Sequence, residues 1–371
     1  MSNKRGPRVE HSVNKSRRRV VKGAIGATTL AVTGAAPYIV LARESDTLVV
    51  NGYGGEFQPL YIDNVIKPFE KKMGVKVIYD GTGTASKTLA KIRASKGNPG
   101  FDVAAELTPD EILLGGKEGL LEPLTEDKIP NLKYGWKRNR ELIPKYGAIH
   151  SYQYLGLFYN PTKIEQPKSW ADYWDPGKRY GDKVKGRILQ WNPAGLKSIH
   201  ALIMAAQLDG GGVDNMAPAW EYLKKQKPYI GPVLTGSSEA TPYFENEEVW
   251  LAPYWSARAA YFTSRGMKMR LSIPKEGSMG EADVAAIPVG IKNKKLAYEF
   301  VNFRLSKEVQ RAFCLAYFIG PSRNDITDWP KEFAVEQITT EQQVNSLVFP
   351  DDEKVAAKRK EWTLKWQEIM G

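Results

Sequence analysis

After residue 42 the chain alternates short β-rich runs with helical patterns, and this alternation limits its fold more than any other feature. Leu48-Val49-Val50, Val75–Tyr79, Phe101–Ala105 and Gly186–Trp191 are β-rich and bounded by turn residues. Between them Ile62, Val65, Ile66 and Phe69 fall at helical spacing, and Gly74 ends that segment. Leu89 and Ile92 mark a second helix, stopped by Gly97-Asn98-Pro99-Gly100. A third follows Asn192-Pro193, with Leu196, Ile199, Leu202 and Ile203 on one face and Asp209–Gly212 as its stop. Strands alternating with helices predict an α/β fold with a largely parallel sheet.

The last helix is predicted from Asp351 to Met370. Asp351, Asp352 and Glu353 stand at its start, where the helix dipole favours acids. Val355, Trp362, Trp366 and Ile369 form an apolar stripe expected to pack on the body of the protein. The roughly 330 residues after Ala42 are too many for one small α/β unit and suit two lobes. His150–Asn160 is a candidate crossing between them, and Ala282–Gly290 a candidate return strand.

The formal charge of +11 invites a nucleic-acid reading until its position is considered. Residues 1–42 hold eight basic side chains and one acidic one, so they carry +7 of the total. The remainder is only mildly basic and argues for no polyanionic partner. Gly23–Ala42 has no charge and is rich in Ala, Gly and Thr. It ends in Val40-Leu41-Ala42, a pattern a signal peptidase reads. Ser16-Arg17-Arg18-Arg19-Val20-Val21-Lys22 resembles the twin-arginine export motif. Residues 1–42 are therefore expected to be a twin-arginine signal peptide read by the Tat export machinery. A retained anchor or a basic arm are the alternatives. No cysteine lies near the cleavage site, so an unanchored protein of a Gram-negative periplasm is expected.

A single cysteine, Cys314, excludes an internal disulfide and any multi-cysteine metal or iron–sulfur centre. Three histidines, His11, His150 and His200, leave little for a histidine-rich metal site. No cofactor and no metal are expected.

Several stretches carry a recognisable pattern in order. These are Leu48–Leu124, Leu157-Phe158-Tyr159-Asn160-Pro161, Pro167–Trp174, Ile273-Pro274-Lys275-Glu276-Gly277, Ala286-Ile287-Pro288 and Phe318-Ile319-Gly320-Pro321-Ser322. Together they resemble a periplasmic substrate-binding protein of an ABC transporter, of the polyamine, iron and thiamine type. The resemblance implies a two-lobed, type II-like periplasmic binding protein with the ligand cleft between lobes. The expected division is 43–149 plus 284–325 for the first lobe and 150–283 plus 326–371 for the second. It further implies a monomer that captures a small solute and docks, closed, on an inner-membrane permease.

Ligands in such folds bind at loops leaving the carboxyl ends of strands. Gly81-Thr82-Gly83-Thr84-Ala85-Ser86 has that place, and Thr84, Ser86 and free amides there suit a carboxylate or phosphonate. A plain glycine turn with a cap is the alternative. The loop mimics a nucleotide-binding loop, but Ser86 stands where the glycine before the lysine is required. By the resemblance, Tyr53 falls where relatives touch ligand, Trp255 matches a tryptophan polyamine binders use, and Asp283 matches their acid for an amine. Trp191 ends a predicted strand and is a candidate to project into the cleft. Arg258 is a candidate clamp for a carboxylate. Each also has a plainer reading, as a core aromatic or a surface charge.

The sequence departs from the polyamine pattern at three places. Trp191-Asn192-Pro193-Ala194-Gly195-Leu196 lacks the further acids expected there, Glu281 replaces a tryptophan, and Gly320 stands for the late-loop tyrosine. A dication in a dry cleft needs more than one carboxylate. The remaining set, Thr84/Ser86, Arg258, Asp283 and the tryptophans, suits a zwitterion with an apolar spacer, with a polyamine as the alternative. An exported enzyme is the competing class. The chain shows no nucleophile elbow and no His-Glu-x-x-His motif to support it.

Overall fold

A computed structural model describes residues 47–371 except Glu56, Thr84 and Ala194. It also leaves out the side chains of Ala85, Ser86, Ser237, Ser238, Val335 and Asp352. The expected signal peptide lies outside the described residues, as do Thr84 and the Ser86 side chain.

The strands run β1 (Thr47–Tyr53), β2 (Lys76–Gly83), β3 (Val103–Leu107), β4 (Ala148–Tyr159), β5 (Ile188–Trp191), β6 (Ile230–Leu234), β7 (Leu251–Trp255), β8 (Arg270–Ser272), β9 (Ser278–Ala286), β10 (Gly320–Pro321) and β11 (Leu347–Val348). The main path across them is β2-β1-β3-β9-β4-β7-β5-β6. β1 pairs in parallel with β2 and β3, and β5 pairs in parallel with β6 and β7. The two parallel groups belong to separate lobes, and the antiparallel strands β4 and β9 join them. Residues 148–154 of β4 pair with β9, while 155–159 pair with β7 and β8.

Each group of strands has a core on both faces, as a buried parallel sheet requires. Leu48, Val50, Phe69, Val103 and Phe300 belong to one cluster of the first lobe, and Leu89, Leu107, Ile112 and Tyr152 to the other. In the second lobe Trp170, Trp174, Leu202 and Leu251 pack on one side, and Phe158, Trp191, Phe244 and Tyr254 on the other.

The predicted helix around Ile62–Phe69 is irregular. Phe57–Tyr61 is α-helical, Ile62–Ile66 is a π turn, and Lys67–Met73 is again α-helical, closed by Gly74 at φ 66°. The last helix, Asp352–Met370, is capped by Asp351, which accepts from the Lys354 amide. Its Val355, Trp362 and Trp366 are buried in the second lobe, as the apolar stripe predicts. Among the described residues no helix is long and apolar enough to cross a membrane.

Candidate functional site

Strand alternation sorts the two joining strands into a polar and an apolar face. Ser151 pairs with Asp283 and Gln153 with Glu281, and all four side chains share one face. The Ser151 hydroxyl donates to Asp283 Oδ2 at 2.8 Å, and Gln153 Nε2 donates to Glu281 Oε2 at 2.8 Å. On the opposite face Tyr152, Ala282 and Val284 pack into apolar core. Two acids thus lie side by side where the lobes meet. Burial pushes the Glu281 carboxyl up, and its neighbour Asp283 pushes it further. Burial likewise raises Asp283, against the Ser151 hydrogen bond.

Beneath them lies a buried polar cluster from three more elements. Glu106 is the one charged residue in the otherwise apolar β3. Its carboxylate approaches His150 Nε2 at 3.5 Å, and both its oxygens are buried without a hydrogen-bond partner. His150 Nε2 donates to the Ala105 carbonyl at 2.8 Å, which leaves Nδ1 to accept from Arg304 Nη2 at 3.0 Å. Burial and the Arg304 charge hold His150 neutral, well below its ordinary range. The Arg304 guanidinium comes from the helix Lys294–Arg304 and lies 4.4 Å from the Phe313 ring centre. Burial and the Asp283 charge hold Glu106 well above the usual carboxylate range, and Arg304 opposes them.

Aromatic groups close around the acids. Tyr53, at the carboxyl end of β1, packs edge-on to Phe57 at 5.5 Å. Its phenol is raised by burial and by the charges of Asp283, Glu281, Glu106 and Glu111. Tyr317 ends the helix Lys307–Tyr317, and Phe318 follows in the left-handed region at φ 56°. That turn sends the chain into β10, which pairs with Tyr152 and Ser151 of β4. Burial and then Asp283 raise the Tyr317 phenol, while Arg258 lowers it.

The second lobe supplies two cations. Arg258 lies on the first turn of the helix Ser256–Ser264, half-buried, with its guanidinium 5.5 Å from the Phe262 ring. Lys197 lies near the start of the helix Leu196–Leu208 and is 9% exposed. Its ammonium stands 3.9 Å from the centre of the Trp191 ring. Burial and then the Arg258 charge bring Lys197 down to about 8, with Glu281 and Glu239 pulling the other way.

Of the residues expected from sequence, Tyr53, Asp283 and Arg258 converge on this polar cluster. Trp255 is half-buried at the carboxyl end of β7 and meets the His200 ring edge-on at 5.7 Å. Trp191 is 1% exposed, and its indole N–H donates to the Pro253 carbonyl at 2.6 Å. It lies in the second lobe's core, with Lys197 covering its face. Gly320, read from sequence as replacing a late tyrosine, pairs with Tyr152 in β10. Sequence reasoning missed Glu106, Gln153, Ser151, Lys197, Arg304 and Tyr317. For Glu106 and Lys197 a signal existed, since each is a charged residue inside an apolar run. Among the described residues no group of three or more His, Cys, Asp or Glu is placed to hold a metal ion.

Two α/β lobes joined by crossing strands, with acids, cations and aromatics gathered where they meet, define a two-lobed solute-binding protein. The chain belongs to the bacterial extracellular solute-binding protein family, whose profile matches residues 64–340. It is 27% identical over 297 residues to the putrescine-binding periplasmic protein PotF of Escherichia coli, covering 72% of this chain and 76% of that one. It is 25% identical over 305 residues to the gamma-aminobutyric acid-binding protein of Pseudomonas aeruginosa, covering 79% and 81%. Among solved structures, the spermidine/putrescine ABC transporter substrate-binding protein PotD from Streptococcus pneumoniae superposes with a TM-score of 0.73. That match has 20% identity and covers 88% of this chain and all of that one. It carries the fold.

Proposed function

We propose that this chain is the periplasmic solute-binding component of an ABC importer, and that its solute is a small amine-bearing zwitterion. The observation that carries the reading is the bipolar lining of the cleft. Glu281 and Asp283 offer negative charge from the joining strands, and Arg258 and Lys197 offer positive charge from the second lobe. An ammonium group belongs beside the acids and a carboxylate beside Arg258. Tyr53, Tyr317 and Trp255 are the aromatic surface for the spacer between them. The protein captures and delivers its solute to a membrane permease and performs no chemistry on it. We place the lobe boundary within β4 and β9, so that residues up to Tyr154 go with the first lobe and the last helix, Asp352–Met370, goes with the second. We further propose a monomer that leaves the cell interior through a twin-arginine signal.

A diamine is the second reading. Glu281 and Asp283 supply two carboxylates, and several relatives are named for putrescine or spermidine. Calorimetry with γ-aminobutyrate, putrescine and spermidine separates the readings. The first expects a zwitterion to bind, with affinity falling at least tenfold in both Asp283→Ala and Arg258→Ala. Tight putrescine binding with no response to any amino acid sinks it.

A further inference from the structure

The joining strand β9 carries its two acids one residue apart on the same face. At about 3.3 Å per residue their Cα atoms lie roughly 6.6 Å apart, so both side chains can lean toward one site. Asp283 is buried and Glu281 half-buried, which leaves Glu281 the one nearer to solvent. Each carboxylate accepts from a neutral donor of β4, Ser151 for Asp283 and Gln153 for Glu281. Among the described residues neither carboxylate forms an ion pair. What holds the two acids side by side is thus a pair of uncharged hydrogen bonds.

The groups facing the pair do not balance its charge. Glu106 of β3 adds an acid from below, with both oxygens buried and without a hydrogen-bond partner. Asp110 adds another from the helix Pro109–Lys117. Arg304 acts on Asp283, but its Nη2 is engaged by His150, which it holds neutral. Lys197 acts on Glu281 from the second lobe, and Arg258 acts on the Tyr317 phenol beside Asp283. Tyr53 and Tyr317 stay protonated and bring no charge. Glu281, Asp283, Glu106 and Asp110 therefore outnumber Arg304, Lys197 and Arg258. Two carboxyls this close in a desolvated place do not both ionise without a cation between them, and they titrate as a unit. Burial pushes both up, and Asp283 pushes Glu281 further.

We propose that the Glu281–Asp283 pair exchanges a proton for the ammonium of the solute: the empty cleft shares one proton between the two carboxyls, and the entering ammonium replaces it, the proton passing to solvent. This rests on the amine reading above and adds what regulates that site. One positive charge leaves as another arrives, so no fresh unpaired charge is buried on binding. The ammonium has three donors and serves both carboxylates at once, which a single shared proton does less well. Capture is thereby tied to pH. A zwitterion and a diamine are tied alike, since each presents an ammonium to the pair.

The test counts protons. Calorimetry with γ-aminobutyrate and with putrescine, at about pH 7 in phosphate and again in Tris, reads proton release from the difference in apparent enthalpy between the buffers. The compound that binds should release roughly one proton, and its affinity should rise roughly tenfold from about pH 6.5 to about pH 7.5. In Glu281→Gln the release should fall below about a third of that and the pH dependence should flatten, whatever the affinity itself does. Asp283→Asn provides the same comparison if the glutamine variant does not fold. Binding with no difference between buffers, or equal release from wild type and variant, overturns the proposal and leaves the amine reading standing. If neither compound binds the wild type, the amine reading fails and the exchange fails with it. A titration without solute judges the shared proton separately, and decides where a variant no longer binds. Between about pH 6 and pH 9 the wild type should lose roughly one proton more than Glu281→Gln. Coincident titration curves overturn the proposal.

Discussion

The Ser151 hydroxyl donates to the Asp283 carboxylate at 2.8 Å across the two strands that join the lobes. The bond ties β4 to β9 through side chains as well as backbone, on the strands that join the lobes. It also favours the charged form of Asp283, against the burial that disfavours it.

Ser151→Ala should therefore weaken both stability and amine binding. Loss of one buried hydrogen bond to a charged group costs about 1–3 kcal/mol. Without that donor the Asp283 carboxyl rises further, so its ionised form is lost at higher pH on acidification. The acid limb of an affinity-against-pH profile for a bound amine should move to higher pH. Calorimetry across pH 5 to 8, roughly the window around that group, checks it.

Arg304→Met should be among the most damaging single changes in the first lobe. It removes the charge that opposes the rise of Glu106 and the donor to His150 Nδ1. Breaking one side of a buried charged set costs about 3–5 kcal/mol. The double variant Arg304→Met with Glu106→Gln should recover part of that loss, since the buried Glu106 carboxyl left without its cation is removed as well. Urea midpoints of the three proteins measure the recovery.

Gly280→Ala tests the apolar side of the joining strands. A Cβ there would lie 2.7 Å from the Phe349 ring and 2.9 Å from Leu347 Cβ. Phe349 also packs edge-on to Tyr152, so moving it away disturbs that contact. Overpacking of this kind costs about 1–3 kcal/mol. The expected result is a lower melting temperature together with altered solute affinity, because the strain falls where the lobes join.

His200 gives a pH signature separate from the acids. Burial brings its imidazole down from 6.5 to about 4. Between those values the unfolded chain binds a proton that the folded chain does not, so stability falls as pH drops from 6.5 toward 4. The full effect is on the order of 3 kcal/mol and should be absent above pH 7, roughly beyond the unfolded value. His200→Gln should flatten this part of the stability profile, as read from urea midpoints. Because His200 meets the Trp255 ring, tryptophan emission of the folded protein should change as His200 protonates near pH 4, and not between about pH 5 and 7.

Much of the fold was legible in local pattern. Strands β1, β3 and β5 lie where short apolar runs meet turn residues. β2 is longer than its apolar run, because Asp80–Gly83 continues to pair with Asn51 and Tyr53. The Asn51 amide donates to Asp80 at 2.9 Å, and its carbonyl accepts from Thr88 at 2.7 Å. Gly54 lets the two strands close there, since a Cβ would clash with the Gly81 carbonyl oxygen. No periodicity announces that closure. The π turn at Ile62–Ile66 is equally silent, because its apolar positions fit an ordinary helix.

The site was legible only in part. Lone charges in apolar runs, Glu106 and Lys197, can be seen without a structure. Ser151 and Arg304 cannot, since their partners lie 132 and 154 residues away. Trp191 shows the opposite failure. Its position at a strand's end suits a ligand contact, yet the face it offers is taken by a residue six positions further on.

Cys314 is fully buried in the first lobe's core, and burial pushes its thiol up to about 12. It is the only cysteine in the chain. Maturation of this protein therefore draws on no oxidant, disulfide isomerase or reductant. Its native state forms and persists equally in a reducing and an oxidising medium, so redox poise never decides where along its route the chain becomes competent.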